Sequence, residues 1–244
     1  MRKIINITIR LVKRVNPLPY LTKTLINRLT YSEFLKPPFN SYNERSVEYA
    51  FVFEQITKLR PKTVLDVGTG QSALPSLIAT CGPKVTAIDN VKDYWKKGML
   101  NHHFYVINDN ITNSKIAKTF EAITCISTLE HIEKFDQAIK TMFSLLSPLG
   151  HIILTFPYNE SAGVSNVYEL AESDVKPIPS HKTRAFSRKD IDKWLKENNS
   201  KIIEQEYWQF FTGEYWTTGK KLDKPIKTDH DQIHQISCLV LGKR

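Results

Sequence analysis

What the 244-residue chain has little of narrows its class before any motif is considered. Its three cysteines, Cys81, Cys125 and Cys238, lie far apart, with no Cys-x-x-Cys pair and no zinc-type spacing. That usage excludes a disulfide framework and fits reduced thiols, two of them inside apolar runs that read as strands. No stretch approaches the run of about twenty apolar residues that a membrane-spanning helix requires. The N-terminus also lacks the pattern of a secretory signal, because basic residues interrupt its apolar stretch and no small-residue cleavage site follows. A cytoplasmic address is therefore expected. Internal repeats and low-complexity tracts are missing too, which excludes a solenoid and a disordered chain.

The net charge of +9 would suggest a nucleic-acid binder if it were spread along the chain. It is not. Residues 1–40 hold Arg2, Lys3, Arg10, Lys13, Arg14, Lys23, Arg28 and Lys36 against Glu33 alone, so seven of the nine charges sit in this segment. The rest of the chain is nearly balanced, and nucleic acid is not the expected partner. Within the segment Ile4, Ile5, Thr8, Leu11, Val12 and Val15 fall on one helical face, with Lys3, Arg10, Lys13 and Arg14 away from it. Such a helix is marginal alone and needs a surface to lie on. The protein's own core, a second subunit of a homodimer, or an anionic membrane contacted by residues 1–20 would each serve, the last placing the chain peripherally at the inner face of the membrane.

After Asn16-Pro17 and Lys36-Pro37-Pro38 break the chain, residues 44–59 carry a helical pattern that ends before Pro61. From there strand and helix patterns alternate. Strands are expected at 63–67, 84–88, 103–107, 121–126 and 151–156, and helices at 73–80, near 93–100, near 112–118 and at 135–146. About 25 residues without a firm element follow Phe156-Pro157, until Ser187-Arg188-Lys189-Asp190 opens a helix as a capping box. Strands at 201–211 and 234–241, with no helix between them, read as an antiparallel pair. The pattern predicts an α/β fold: a Rossmann-like, seven-stranded, mostly parallel sheet with an antiparallel C-terminal strand and helices on both faces. Residues 1–40 form an extension and 41–244 one domain.

The strand ends carry the chemistry. Val64-Leu65-Asp66-Val67-Gly68-Thr69-Gly70 is an apolar strand running into a glycine turn and then a helix, an arrangement in which a ligand can approach backbone and meet the unpaired N–H groups of a helix start. Val85-Thr86-Ala87-Ile88-Asp89 ends in a carboxylate able to grip a ribose diol, and Val106-Ile107-Asn108-Asp109 repeats the pattern 20 residues further on. Three successive strands thus end in polar groups at the carboxyl edge, where open α/β sheets bind ligands.

Over residues 42–241 the sequence resembles the class I S-adenosylmethionine-dependent methyltransferases. The matching segments are VLDVGTG at 64–70, VTAID at 85–89, Asn108-Asp109, ITCISTLEHI at 123–132 and LLSPLGHIILTFP at 145–157. The resemblance implies S-adenosyl-L-methionine as cofactor. It places Asp66, Gly68, Thr69 and Gly70 around the methionine moiety and Asp89, with Asn90 beside it, at the ribose. Asn108, Asp109 and Ile111 fall at the adenine, and Ser127 between cofactor and acceptor. One departure stands out: the third glycine common in the family loop is Ser72 here. A nicotinamide dehydrogenase is the chief rival, since Gly68-x-Gly70-x-x-Ala73 satisfies a permissive dinucleotide fingerprint. Against it, Asp66 would put a carboxylate where pyrophosphate must sit, and Asp109 adds another at the third strand.

Methyl transfer needs alignment above all, and a base only where the acceptor has a proton to lose. His131, and more remotely His181, are the candidates for that base. Glu130, His131 and His181 loosely resemble the metal-binding set of ubiquinone-pathway O-methyltransferases and small-RNA 2′-O-methyltransferases, but Ser127 stands where those families carry a further glutamate, and no metal is expected. Residues 157–186 read as an acceptor-side loop; Glu160, Glu169, Glu172 and Asp174 within it would repel a polyanion. Tyr207, Trp208, Phe210, Phe211, Tyr215 and Trp216 supply aromatic surface that either stacks on a flat acceptor or packs the core. The expected activity is O-methylation of a small molecule or glycan, with RNA methylation as the competing alternative.

Overall fold

A computed structural model describes residues 43–95, 98–175 and 182–244, together with helical residues 23–25, 27, 28 and 31. The chain divides into two compact units, Met1–Asn43 and Glu44–Arg244. The amphipathic pattern of residues 4–15, the proposed membrane contact of residues 1–20 and His181 all lie outside the described residues.

The second unit is one eight-stranded sheet in the order β3-β2-β1-β4-β5-β8-β6-β7. Helix α1 (Arg45–Leu59) leads into β1 (Thr63–Val67), and α2 (Leu74–Thr80) into β2 (Lys84–Asp89) and the short β3 (Val106–Asn108). Then come β4 (Phe120–Ile126), α3 (Phe135–Ser144), β5 (Leu146–Pro157), α4 (Arg188–Glu197), β6 (Ser200–Phe211), β7 (Lys221–Thr228) and β8 (Ile236–Lys243). Strands β3, β2, β1, β4 and β5 run parallel, whereas β8 pairs antiparallel with both β5 and β6. A central strand such as β1 is buried on both faces, which is why it reads as an unbroken apolar run.

Alternate residues of the central strands β1, β4, β5 and β8 feed two separate cores. On one face Leu65, Ile123 and Leu154 meet Ile139, Met142 and Phe143 of α3 and Ile191 and Trp194 of α4. On the other, Val64, Ala122 and Ile153 meet Val47, Phe51, Val52 and Ile56 of α1 and Leu74 and Ile78 of α2. The period-two alternation of the strands and the helical stripes thus agree on a sheet covered from both sides.

Three expectations need correction. The sheet has eight strands, not seven: β7, KLDKPIKT, is an edge strand exposed along much of its length, so it carries no apolar alternation, and Pro225 is tolerated there. No helix forms among the described residues of 93–100, where residues 91–94 make a turn. The helix expected near 112–118 shrinks to a single 3-10 turn at Ile111–Asn113, capped by the Asn110 side chain, which accepts from the Thr112 N–H at 3.0 Å. In both places polar residues form local turns in competition with a helix.

Candidate active site

Strand order reverses between β1 and β4, and the carboxyl ends of β2, β1 and β4 open there into a crevice. Asp66 closes β1 and is buried beneath two hydroxyls: Thr69 Oγ1 donates to Oδ2 and Thr124 Oγ1 to Oδ1, each at 2.6 Å. Burial pushes its carboxyl up to about 6 despite those hydrogen bonds, which pull the other way. The side chain therefore holds the turn between β1 and α2 to the neighbouring strand. Gly68 has φ 73°, and a Cβ there would sit inside the Thr128 side chain, so the segment that follows β4 presses directly on the glycine turn. Only glycine fits such a position.

Asp89 closes β2, and its carboxylate faces the same turn. Oδ2 accepts the Gly70 N–H at 2.8 Å and Oδ1 the Trp95 indole N–H at 2.9 Å, leaving each oxygen a further lone pair. Asn101 Nδ2 donates to the Gly70 and Ser72 carbonyls, both at 2.9 Å. The departure at Ser72 has a local explanation, since its hydroxyl accepts the Leu74 N–H at 3.0 Å at the start of α2. Asp109 is chained to this group through its N–H, which donates to the Asp89 carbonyl at 3.0 Å. Its carboxylate accepts from Ser114 Oγ at 2.7 Å and from the Lys115 N–H, so it also shapes the turn beyond β3. Ile111 is buried in that turn. Asn108 is exposed, its Oδ1 accepting the Lys92 N–H at 2.9 Å, while Asn90 offers its carbonyl to the Tyr94 N–H. Asp66, Gly68, Thr69, Gly70, Asp89 and Asp109 thus lie along one connected edge. Asn108 and Asn90 fasten the loop beside it.

The glycine cradle against Thr128 and the Asp89 carboxylate over the Gly70 N–H suit a nucleoside joined to an amino acid: backbone can be approached closely at one end and a diol gripped at the other. A second cavity adjoins them. It measures about 90 Å³ and is lined by Arg45, Ser127, Glu130, His131, Tyr168 and Trp216, among others. Ser127 follows β4 in the left-handed region, φ 41°, with its N–H directed at the Thr155 carbonyl (3.0 Å) and hydroxyl (3.1 Å). His131 Nδ1 lies 2.9 Å from the Lys182 carbonyl, which can only accept, so in the neutral ring the lone pair is on Nε2. That nitrogen stands 3.9 Å from Glu130 Oε1. Glu130 is buried, its Oε2 has no hydrogen-bond partner among the described residues, and burial foremost pushes its carboxyl up to about 8.

Matches to known proteins agree with this geometry. A methyltransferase domain family matches residues 41–205. The ubiquinone biosynthesis O-methyltransferase of Coxiella burnetii (strain RSA 331 / Henzerling II) is 32% identical over 211 residues, which cover 80% of this chain and 82% of that one. The chain belongs to the class I S-adenosylmethionine-dependent methyltransferases. The mitochondrial ubiquinone biosynthesis O-methyltransferase of Schizosaccharomyces pombe is 27% identical over 159 residues, 61% of this methyltransferase and 58% of its own length. Among solved structures, the fold is shared with an S-adenosylmethionine-dependent methyltransferase of Clostridium acetobutylicum (TM-score 0.54, 14% identity, 90% of this chain and 99% of that one). It is shared equally with the 1,6-didemethyltoxoflavin-N1-methyltransferase of Burkholderia thailandensis, which was solved with S-adenosylhomocysteine (TM-score 0.55, 13% identity, 92% and 90%). The dehydrogenase alternative is thereby set aside.

Several groups around the site of the methyltransferase escape sequence reasoning. Glu48 and Arg45 arrive from α1, Thr155 from β5, and Trp95 from the turn after β2; the one available signal is a glutamate on the apolar face that Val47 and Phe51 define. The C-terminal aromatics divide. Phe210 and Phe211 pack edge-on against Trp216, Tyr207 lies beside Tyr158 and His234, and of the six only Trp216 lines the cavity. The acidic loop is partly neutralised, since Glu160 pairs with Arg188 at 2.9 Å. Among the described residues, no helix is long and apolar enough to cross a membrane.

Proposed function

We propose that this methyltransferase transfers its methyl group to a hydroxyl oxygen of a small-molecule acceptor held in the cavity beside Ser127, with the names of its ubiquinone-pathway relatives supporting oxygen as the methylated atom. One observation carries the assignment of the site. The glycine turn after β1 touches the Asp89 carboxylate through the Gly70 N–H and the Ser127–His131 segment through the Thr128 side chain against Gly68. When bound, S-adenosylmethionine supplies an electrophilic methyl on sulfur. Asp66 and Thr69 shape the turn that meets its methionine end, with Gly68 and Gly70 allowing close approach. Asp89, steadied through Asn90, takes the ribose hydroxyls, while Asn108, Asp109 and Ile111 border the adenine. Ser127 lies between donor and acceptor, and His131 Nε2 receives the acceptor's proton as the oxygen–methyl bond forms and the methyl–sulfur bond breaks.

Calorimetric titration with S-adenosylhomocysteine and, in parallel, NAD tests this reading. Binding of the first alone is expected, and Asp89→Ala should weaken it by at least ~100-fold, since two charge-assisted hydrogen bonds contribute about 1.5–3 kcal/mol each. Equal affinity for NAD, or an indifferent Asp89→Ala, would defeat it. Incubation of cell extract with labelled cofactor then shows whether a small molecule or a glycan acquires the methyl. For residues 1–20 we propose contact with an anionic membrane face, and for the chain a homodimer. Liposome partition unchanged by deleting residues 1–40 and a monomeric mass by light scattering are the respective results against them.

A further inference from the structure

We infer that Glu48 is a positioning residue of the acceptor site: it fixes the direction of the Ser127 hydroxyl, so that Ser127 presents only lone pairs and the site selects an acceptor whose reacting group donates a hydrogen bond. This rests on the function proposed above and adds the hydrogen-bonding class of the acceptor.

Glu48 is fully buried on α1, an element outside every cofactor segment. Its Oε1 takes the Ser127 hydroxyl in a short hydrogen bond and the Thr155 hydroxyl at 2.7 Å, while Oε2 pairs with Arg45 Nη1 at 2.6 Å. Paired with Arg45, the Glu48 carboxylate accepts from both hydroxyls. Both hydroxyl hydrogens are therefore committed to Glu48, and the polarity of the chain is settled along its length. Thr155 donates to Glu48 and uses its lone pair for the Ser127 N–H at 3.1 Å; Ser127 donates to Glu48 and has lone pairs left for the cavity.

Glu48 has a conformational role as well. Ser127 has φ 41°, a left-handed backbone that costs a non-glycine residue about 1–3 kcal/mol and persists only where its surroundings impose it. The bonds to Glu48 and Thr155 impose it here. A glycine would take that backbone more easily but would carry no hydroxyl.

The chemical consequence is a filter. In the bound state a neutral hydroxyl donates to Ser127 Oγ with its own lone pair toward the methyl, and its hydrogen swings from Ser127 to His131 Nε2 as the oxygen–methyl bond forms and the methyl–sulfur bond breaks. Once methylated, that oxygen has no hydrogen to donate, so it meets Ser127 lone pair to lone pair and leaves. An anionic reacting group meets the same repulsion, and the Arg45 guanidinium beside the cavity is already paired with Glu48. Tyr168 and Trp216 in the cavity lining suit a planar ring behind the hydroxyl.

The test uses the full chain saturated with S-adenosylhomocysteine, and two probes of one shape: catechol, which donates, and its dimethyl ether, which cannot. Ligand-observed NMR titration should show catechol binding at least 10-fold more tightly. Ser127→Ala and Glu48→Ala should each abolish that preference, and the double variant should lose no more than either single one, while Glu48→Ala keeps its affinity for S-adenosylhomocysteine within twofold. Glu48→Gln, which can still accept from Ser127, should keep part of it. Should Glu48→Ala not fold, Ser127→Ala and Glu48→Gln carry the same test. The inference is overturned if wild-type enzyme binds both probes alike or neither, if Glu48→Ala keeps the preference, or if the two losses add. Failure to bind S-adenosylhomocysteine at all would instead strike the function on which the inference rests.

Discussion

At the tips of β1, β2 and β3 the functional groups come from strand ends and the turns that follow them. At the tips of β4 and β5 they come from helix α1, a loop that returns after some 25 residues and the turn before β7. The first region is wired through backbone: the Gly70 N–H to Asp89, the Asp109 N–H to the Asp89 carbonyl. The second is wired through side chains, with Glu48, Ser127, Thr155 and Arg45 in one hydrogen-bonded chain. Backbone wiring fixes what is common to a cofactor, since it depends on strand register and glycine. Side-chain wiring can be exchanged residue by residue, which is how one fold serves many acceptors.

The sharpest way to break this contrast is Gly68→Ala. At φ 73° and with Thr128 in the space of its Cβ, an added methyl group strains the turn and forces the Thr128 segment away from it. Affinity for S-adenosylhomocysteine should fall by roughly 5- to 150-fold, since binding must re-impose a turn that now carries a left-handed backbone penalty of about 1–3 kcal/mol. Calorimetry beside a thermal melt separates lost binding from lost folding. A folded variant with unchanged affinity would show that the cofactor side does not depend on backbone approach.

A weaker but independent effect sharpens the acceptor side. Glu130 has its carboxyl raised from 4.5 to about 8, and burial, the largest cause, penalises the charged form. An acid whose folded-state value is raised gives stability that is complete below its unfolded value and is lost as the pH climbs through the folded one, here between about 4.5 and 8. Glu130→Gln should remove that loss and leave the variant more stable at pH 9 by about 1–3 kcal/mol, the cost of an unsatisfied buried group. Thermal unfolding at pH 5 and pH 9 reads the difference. Asp66 contributes a similar slope between 3.8 and about 6 in both proteins, so it cancels. A variant that melts with the wild-type pH dependence would mean that Glu130 is charged and paired after all.

The two regions also differed in how far the sequence revealed them. VLDVGTG and VTAID announce their roles because the apolar strand, the turn and the polar terminus are adjacent in the chain, and periodicity finds them. Glu48 has no such neighbours. Its partners Ser127 and Thr155 lie 79 and 107 residues away, and only the sheet order brings β4 and β5 beneath α1. Ser127 was visible as the end of a strand, but its left-handed backbone was not, since serine gives no sign of it. Strand β7 was hidden for a different reason: an edge strand wet on both sides keeps lysines and a proline, and periodicity has nothing to register. His131 was legible as a candidate base, whereas its tautomer required the Lys182 carbonyl, brought back by the loop after β5.

Trp95 offers the smallest effect, at the margin between the two regions. Its indole N–H donates to Asp89 Oδ1 at 2.9 Å, and its ring lies 3.4 Å from where a Gly70 Cβ would be, so its side chain covers the backbone-wired cofactor end. Trp95→Phe removes the donor and keeps most of the ring. Asp89 would still be held by the Gly70 N–H, and the lone pair released on Oδ1 would be open to a ribose hydroxyl, so the lost and gained hydrogen bonds nearly offset. The affinity for S-adenosylhomocysteine should then change by less than ~5-fold, since a net hydrogen bond contributes only about 0.5–1.5 kcal/mol. Calorimetry on Trp95→Phe beside Asp89→Ala makes the comparison. A loss in the tryptophan variant as large as in the aspartate variant would make Trp95 part of the cofactor's grip, and the cofactor end would then depend on a side chain as the acceptor end does.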